Sequence, residues 1–202
     1  MCMTDRELKN LRDKFLNIAR TYIHRDGIDA LLSWLEETDF YSAPASTRYH
    51  DSEPGGLVAH SVQVYEHLVF LDKAYQTKFN PESIAITALF HDLCKVDCYE
   101  VSTRNVKDPE TGTWHTEPFY KWKEKNIYGG HGSKSVFIVQ SFMKLYFPEA
   151  SAIQCHMGFN DTGDPVYDVY RTNALAFLLH TADMASTSDD MNRIISALNR
   201  ED

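Results

Sequence analysis

Ser83-Ile84-Ala85-Ile86-Thr87-Ala88-Leu89-Phe90-His91-Asp92-Leu93-Cys94-Lys95 is the most apolar helical stretch of the chain, and it ends with an imidazole and a carboxylate side by side. The stretch predicts a buried helix over 83–95. A buried helix rarely carries Asp or His without a partner, because an unpaired buried charge is expensive. Two adjacent residues cannot fully share one helix face, but at a helix end their side chains can splay. The pair therefore asks for partners from other elements.

Working toward the N-terminus, Asn80-Pro81 restarts the chain after a helix over 57–74 with Val58, Val62, Tyr65, Val69 and Leu71 on its buried side. Residues 39–56 contain two prolines and two glycines among small polar residues and read as a long loop, a length often reserved for function. Before it, Thr4-Asp5-Arg6-Glu7 is a capping box, followed at helical spacing by Leu8, Leu11, Phe15, Ile18, Ala19 and Tyr22. This predicts a helix over 4–24. Asp26-Gly27 breaks it, and Ile28, Leu31, Leu32 and Leu35 mark a second, shorter helix, so the N-terminal helices occupy 4–38.

Toward the C-terminus, aromatic and β-branched residues flank a Pro/Gly turn at 108–112, which predicts one β-hairpin over about 99–123. Further helices are expected over 133–146, from Pro148 to His156, from Thr172 to Ala185 and, capped by Ser188, over 189–200, with Asn160–Asp164 a loop. The chain contains no internal repeat or low-complexity tract. The expected architecture is a single all-α domain over 1–202, with a core over about 45–187 and the hairpin as its insertion.

Composition narrows the function. The 202 residues are 43% hydrophobic, enough for a core without staples. No apolar run reaches about 18 residues, so no membrane span is expected. The charged N-terminus lacks the apolar stretch of a signal peptide, so a cytoplasmic location is expected. Cys2, Cys94, Cys98 and Cys155 match neither a paired zinc motif nor a disulfide framework and are expected as free thiols. A net charge of −9 argues against a broad basic face for long nucleic acid. Acidic proteins that handle phosphates commonly gather carboxylates around metal ions, which then bind the anion.

Nine histidines is a high count. His60 follows Gly55-Gly56, His131 stands between glycines at a helix start, His156 ends a short helix, and Asp183 lies inside an apolar one. With His91 and Asp92 these residues can satisfy one another by converging on a cation. Mixed imidazole and carboxylate donors suit Mn, Fe, Zn, Ni or Co, with Mg less favoured.

The order His60, His91-Asp92, His131, His156, Asp183 resembles the HD-domain metal-dependent phosphohydrolases in their extended form. GGLVAHSVQV (55–64) is similar to the segment that supplies the first histidine, especially in HD-type 3′-to-5′ exoribonucleases and related phage and prophage hydrolases. HDLCK (91–95) is similar to the H-D-x-x-K signature, and HTADMAS (180–186) to the segment with the closing aspartate. The likeness spans about residues 45–187. It implies a helical bundle in which His60, His91, Asp92 and Asp183 hold one divalent transition metal ion. Asp92 would bridge to a second ion on His131 and His156. Two such ions, about 3.5–4 Å apart, bind phosphate and activate water. Asp92 and Lys95 are then the catalytic candidates, with Lys95 contacting phosphoryl oxygens or the leaving group.

Other residues carry weaker expectations. His50-Asp51 repeats the dipeptide in a polar loop without an apolar helix and is set aside as a metal site. Arg48 and His50, close before His60, and Lys134, close after His131, are candidate substrate contacts. Tyr120 and Trp122 could stack on a base, or pack on the bundle with Lys121, Lys123 and Lys125 exposed. His67 and His180 are read as packing or outer hydrogen-bonding residues, and His24 and His115 as surface. The substrate expected is a small phosphorylated molecule of nucleotide type. The rivals are a 3′-to-5′ nuclease or phosphodiesterase acting on short single strands, and a catalytically weak nucleotide-binding regulatory module.

Overall fold

A computed structural model describes residues 3–47, 52–123, 130–158 and 166–187. The element order is α1 (Asp5–Tyr22), α2 (Ile28–Glu36), α3 (Gly56–Tyr75), α4 (Pro81–Phe90), a 3-10 turn (Leu93–Lys95), β1 (Tyr99–Lys107), β2 (Trp114–Trp122), α5 (His131–Gln140), α6 (Phe147–Cys155), α7 (Val166–Thr172) and α8 (Ala174–Ser186). The chain is thus mostly helical, with one two-stranded antiparallel hairpin. Among the described residues, no helix is long and apolar enough to cross a membrane.

α3 and α4 are the centre. α3 packs on α1, α4 and α8, and α4 packs on α1 and α6 as well. Every residue from Ile84 to Phe90 is buried, and burying each large side chain contributes about 1.5–3 kcal/mol. Two apolar clusters meet here. One joins Phe15, Leu31, Leu35, Val58, Leu89 and Phe90. The other joins Val64, Leu68, Ala88, Ala152, Leu175 and Leu179. Buried positions on α3 run through Val64, His67, Leu68 and Leu71, whereas Tyr65 and Val69 are only partly covered.

Local chemistry sets the boundaries. The predicted capping box starts α1: the Glu7 amide donates to Thr4 Oγ1 and the Thr4 amide to Glu7 Oε2. At the head of α4, Asn80 Oδ1 accepts from the Glu82 amide, and Pro81 occupies the first turn, where its missing N–H costs nothing. α4 ends at Phe90, short of the expected Lys95. His91 Nδ1 donates to the Ala88 carbonyl at 2.8 Å, taking the acceptor that the Asp92 amide would need to continue the helix. Asp92 leaves helical geometry at φ −107, ψ 19.

Three other boundaries differ from expectation. α5 starts at His131 and stops at Gln140, rather than covering 133–146. The helix expected over 172–185 is α8, which starts at Ala174, and a short helix not read from the sequence, α7, precedes it; between them the Asn173 side chain caps Leu175 and donates to the Pro148 carbonyl of α6 at 2.8 Å. That double duty makes Asn173 a break rather than a helical residue. The helix read over 189–200 and the loop over 160–164 lie outside the described residues.

The hairpin has the register Tyr99↔Trp122 to Lys107↔Trp114. Only its base joins the core, through buried Tyr99 and partly buried Tyr120 and Trp122. Trp114 at its far end is solvent-exposed, and so is Val101 on the outer face nearer the base.

The N-terminal helices are tied to the rest by a buried ion pair. Glu149, 1% exposed, receives Arg25 Nη1 at 2.6 Å and Nη2 at 3.0 Å, Ser83 Oγ at 2.7 Å and the Tyr146 amide at 2.8 Å. Removing Glu149 would leave Arg25 only its Glu82 contact at 3.1 Å and would take the acceptor from Ser83 Oγ and the Tyr146 amide. Glu149→Ala is therefore expected to lower unfolding stability by about 3–5 kcal/mol in urea titration. Asp13→Ala, which breaks the exposed Lys9–Asp13 pair, should change it by less than about 1 kcal/mol. Similar small losses in both variants would remove this pair as the anchor of the N-terminal helices.

Candidate metal centre

Four helices bring the candidate ligand side chains together where the two apolar clusters meet. His60 comes from the second turn of α3, His91 and Asp92 from the end of α4, His156 from the end of α6 and Asp183 from the last turns of α8. His60, His91, Asp92 and His156 are no more than 2% exposed, and the Asp183 side chain is 14% exposed. Ligand atoms of His60, His91 and Asp92 lie within 4.8 Å of one another, as do those of His91, His156 and Asp183. Five of the six expected ligands therefore converge.

The hydrogen-bond network assigns two of the histidines. His91 Nδ1 faces the Ala88 carbonyl at 2.8 Å and His156 Nδ1 the Ile153 carbonyl at 2.7 Å. A carbonyl only accepts, so each Nδ1 carries hydrogen and each neutral ring turns an Nε2 lone pair inward. His156 Nε2 is buried and has no hydrogen-bond partner. His91 Nε2 stands 3.3 Å from His60 Nε2, and His60 Nε2 stands 3.1 Å from Asp183 Oδ1. His60 Nε2 lies within hydrogen-bond distance of Asp183, and the close set of imidazole nitrogens and carboxylate oxygens could hold a divalent ion. The donor set thus fits a metal, and it is the imidazole-carboxylate set that suits transition ions rather than Mg.

Asp92 shares itself between directions. Its Oδ2 accepts from Lys95 Nζ at 2.6 Å and lies 3.5 Å from His91 Nε2 and 3.6 Å from His60 Nε2. Its Oδ1 lies 3.5 Å from His156 Nε2 and 3.9 Å from Cys94 Sγ. The His156 contact is too long to satisfy a hydrogen bond and acts as charge attraction. Burial alone would raise the Asp92 carboxyl, yet the Lys95 ammonium and the imidazoles hold it well below the usual carboxylate range. Burial would likewise raise Asp183, and the His60 bond and neighbouring imidazoles hold it low. Desolvation pushes His91 down to about 4, favouring the neutral, ligating ring. His156 is the opposite case: burial would lower it, but the Asp92 and Asp183 carboxylates raise it.

His131 stands apart from the two groups of ligand atoms. It opens α5 half-buried, with Nδ1 3.4 Å from Cys94 Sγ and its ring 5.7 Å from Trp122. Burial lowers its pKa and pushes the Cys94 thiol up to about 12. Lys95 is occupied by Asp92, and Lys134 Nζ donates to Cys98 Sγ at 3.2 Å. Trp122 also packs on Tyr99 at 4.7 Å, so the aromatic base of the hairpin forms the wall beside His131. Lys121 and Lys123 are exposed, as the packing alternative expects. Arg48, His50, Asp51 and Lys125 lie outside the described residues.

An outer set of contacts fixes this arrangement. His67 Nδ1 faces the Ala182 carbonyl at 3.3 Å. His180 Nδ1 faces the His156 carbonyl at 2.7 Å, and its ring stacks on Tyr170. Tyr170 in turn donates to the Cys155 carbonyl. Gly158 adopts φ +80, and a Cβ there would strike the His180 ring. Tyr170 and Gly158 carried no sequence signal, since the contacts join segments distant in the chain.

In comparisons with protein-family models, curated proteins and solved structures, the chain has no match.

Proton competition gives the centre a pH signature. An ion must displace any proton from His156, whose pKa is raised above the ordinary 6.5. Affinity for Mn²⁺ or Co²⁺, measured by calorimetry, is therefore expected to weaken on going from about pH 8 to 6, before an unperturbed imidazole would begin to compete strongly. Constant affinity across that interval would contradict protonation of His156 in the ion-free protein.

Proposed function

We propose that the protein is a metal-dependent phosphohydrolase of the HD type, cleaving a phosphoester or phosphoanhydride in a small nucleotide-like substrate. The observation that carries this reading is the convergence of inward-facing imidazole nitrogens and two ionised carboxylates from four helices. These positions coincide with the order of residues from which the HD resemblance was drawn. We infer two ions, because Asp92 turns one oxygen toward His60 and His91 and the other toward His156. His60, His91, Asp92 and Asp183 would hold the first, and Asp92, His156 and His131 the second. Bound there, divalent ions supply Lewis acidity toward a phosphoryl oxygen and lower the pKa of water toward neutrality.

The chain's own residues supply the rest. The surrounding apolar clusters exclude water, which strengthens each electrostatic interaction inside. Asp92, ionised under the influence of Lys95, keeps both oxygens as acceptors. Lys95 Nζ, 2.6 Å from Asp92, is a point charge placed to meet a phosphoryl or leaving-group oxygen. Tyr120 and Trp122 provide a flat wall on the His131 side, the contact expected of a base. The net charge of −9 supports a small substrate over a long polyanion. The nuclease rival rests on the likeness around His60.

The test is hydrolysis by protein reconstituted with Mn²⁺, Co²⁺ or Ni²⁺, on bis-p-nitrophenyl phosphate, nucleoside phosphates, cyclic dinucleotides and short single strands. Turnover of the small substrates is expected, abolished by Asp92→Ala and lowered about 10²–10³-fold in kcat by Lys95→Ala. Turnover confined to short strands would favour the nuclease. Ion and nucleotide binding without any turnover would establish the regulatory module instead.

A further inference from the structure

His60 differs from the other two converging histidines in how its ring is fixed. His91 and His156 end their helices, and each donates Nδ1–H to the carbonyl three residues earlier. His60 lies in the second turn of α3, inside the helix, where preceding carbonyls are occupied by the helix's own amides. Its Nδ1 instead meets Ser186 Oγ at 3.1 Å, across the packed interface with α8. Ser186 is 3% exposed and stands three residues after Asp183. Its hydroxyl donates to the Asp183 carbonyl at 2.6 Å.

A serine hydroxyl has one hydrogen and two lone pairs. With the hydrogen committed to the Asp183 carbonyl, Oγ can meet His60 Nδ1 only as an acceptor. His60 must then carry hydrogen on Nδ1, which directs Nε2 toward His91, Asp92 and Asp183. We propose that Ser186 is a positioning residue that presets His60 as an Nε2 ligand and holds it in register with Asp183. The proposal rests on the metal reading above and adds a residue that the order of ligands does not include. Partners of this kind usually alter ion affinity about 10–100-fold when removed.

Two measurements test it. In metal-free wild-type protein, long-range ¹H–¹⁵N correlation spectra should show His60 Nδ1 protonated. Ser186→Ala should shift the ring toward the Nε2–H tautomer. In Co²⁺ titrations, Ser186→Ala should weaken affinity about 10–100-fold at unchanged helical content, and Ser186→Thr, which keeps the hydroxyl, should restore it. An unprotonated His60 Nδ1 in the wild type would overturn the proposal. So would Co²⁺ affinity within twofold of wild type in Ser186→Ala, or equal losses in the Ala and Thr variants. Should the wild type bind no divalent ion, the metal reading falls, while the tautomer measurement still decides the role of Ser186.

Discussion

Two carboxylates and three imidazoles, turned toward one another in a dry space between four helices, are the constraint around which this protein is arranged. Taking a charge out of water costs several kcal/mol per ion even after relaxation. Lys95 offsets part of that cost at Asp92, and the imidazoles offset more. His60, His91 and His156 all turn Nε2 toward a region already occupied by carboxylate oxygens. A bundle with only packing to satisfy would replace these groups with leucine. The apolar helices α3, α4 and α8 instead carry them to one place.

The backbone is adapted to the same end. α4 stops where His91 takes the Ala88 carbonyl, so the ligand itself ends its helix and splays Asp92 away from it. α6 ends similarly at His156. Behind them, side chains from α7 and α8 hold the carbonyls of Cys155 and His156, and Ser186 bridges α3 and α8. Rings fixed on both sides lose little freedom when an ion arrives, which is the physical content of preorganisation. The ligands are held by helix ends and by contacts between helices rather than by one contiguous motif.

Much of this could be read from the chain because its signals are local. The capping box at Thr4, the Pro/Gly turn of the hairpin and the apolar run into His91-Asp92 each depend on a few neighbouring residues, and each appears in the structure. Five of the six proposed ligands gather as their order implies. What could not be read depends on distant partners. Asn173 separates α7 from α8 because Pro148 and Ser151 lie beside its amide. His180 turns to the His156 carbonyl because Gly158 leaves room for its ring. His131 was grouped by order, yet its Nδ1 faces Cys94, a contact set by how α5 docks on the 3-10 turn.

His91 and His156 stand at the C-terminal ends of α4 and α6, so two helix dipoles direct their negative ends at the same small volume. Together with Asp92 and Asp183, and against the opposing charge of Lys95, they make the field of the ion-free centre more negative. An anion entering first would be repelled by backbone and side chains alike, while a cation would be drawn in by both. In a centre of this kind a positive charge would have to come before any negative ligand, and its departure would expel what it had helped to hold.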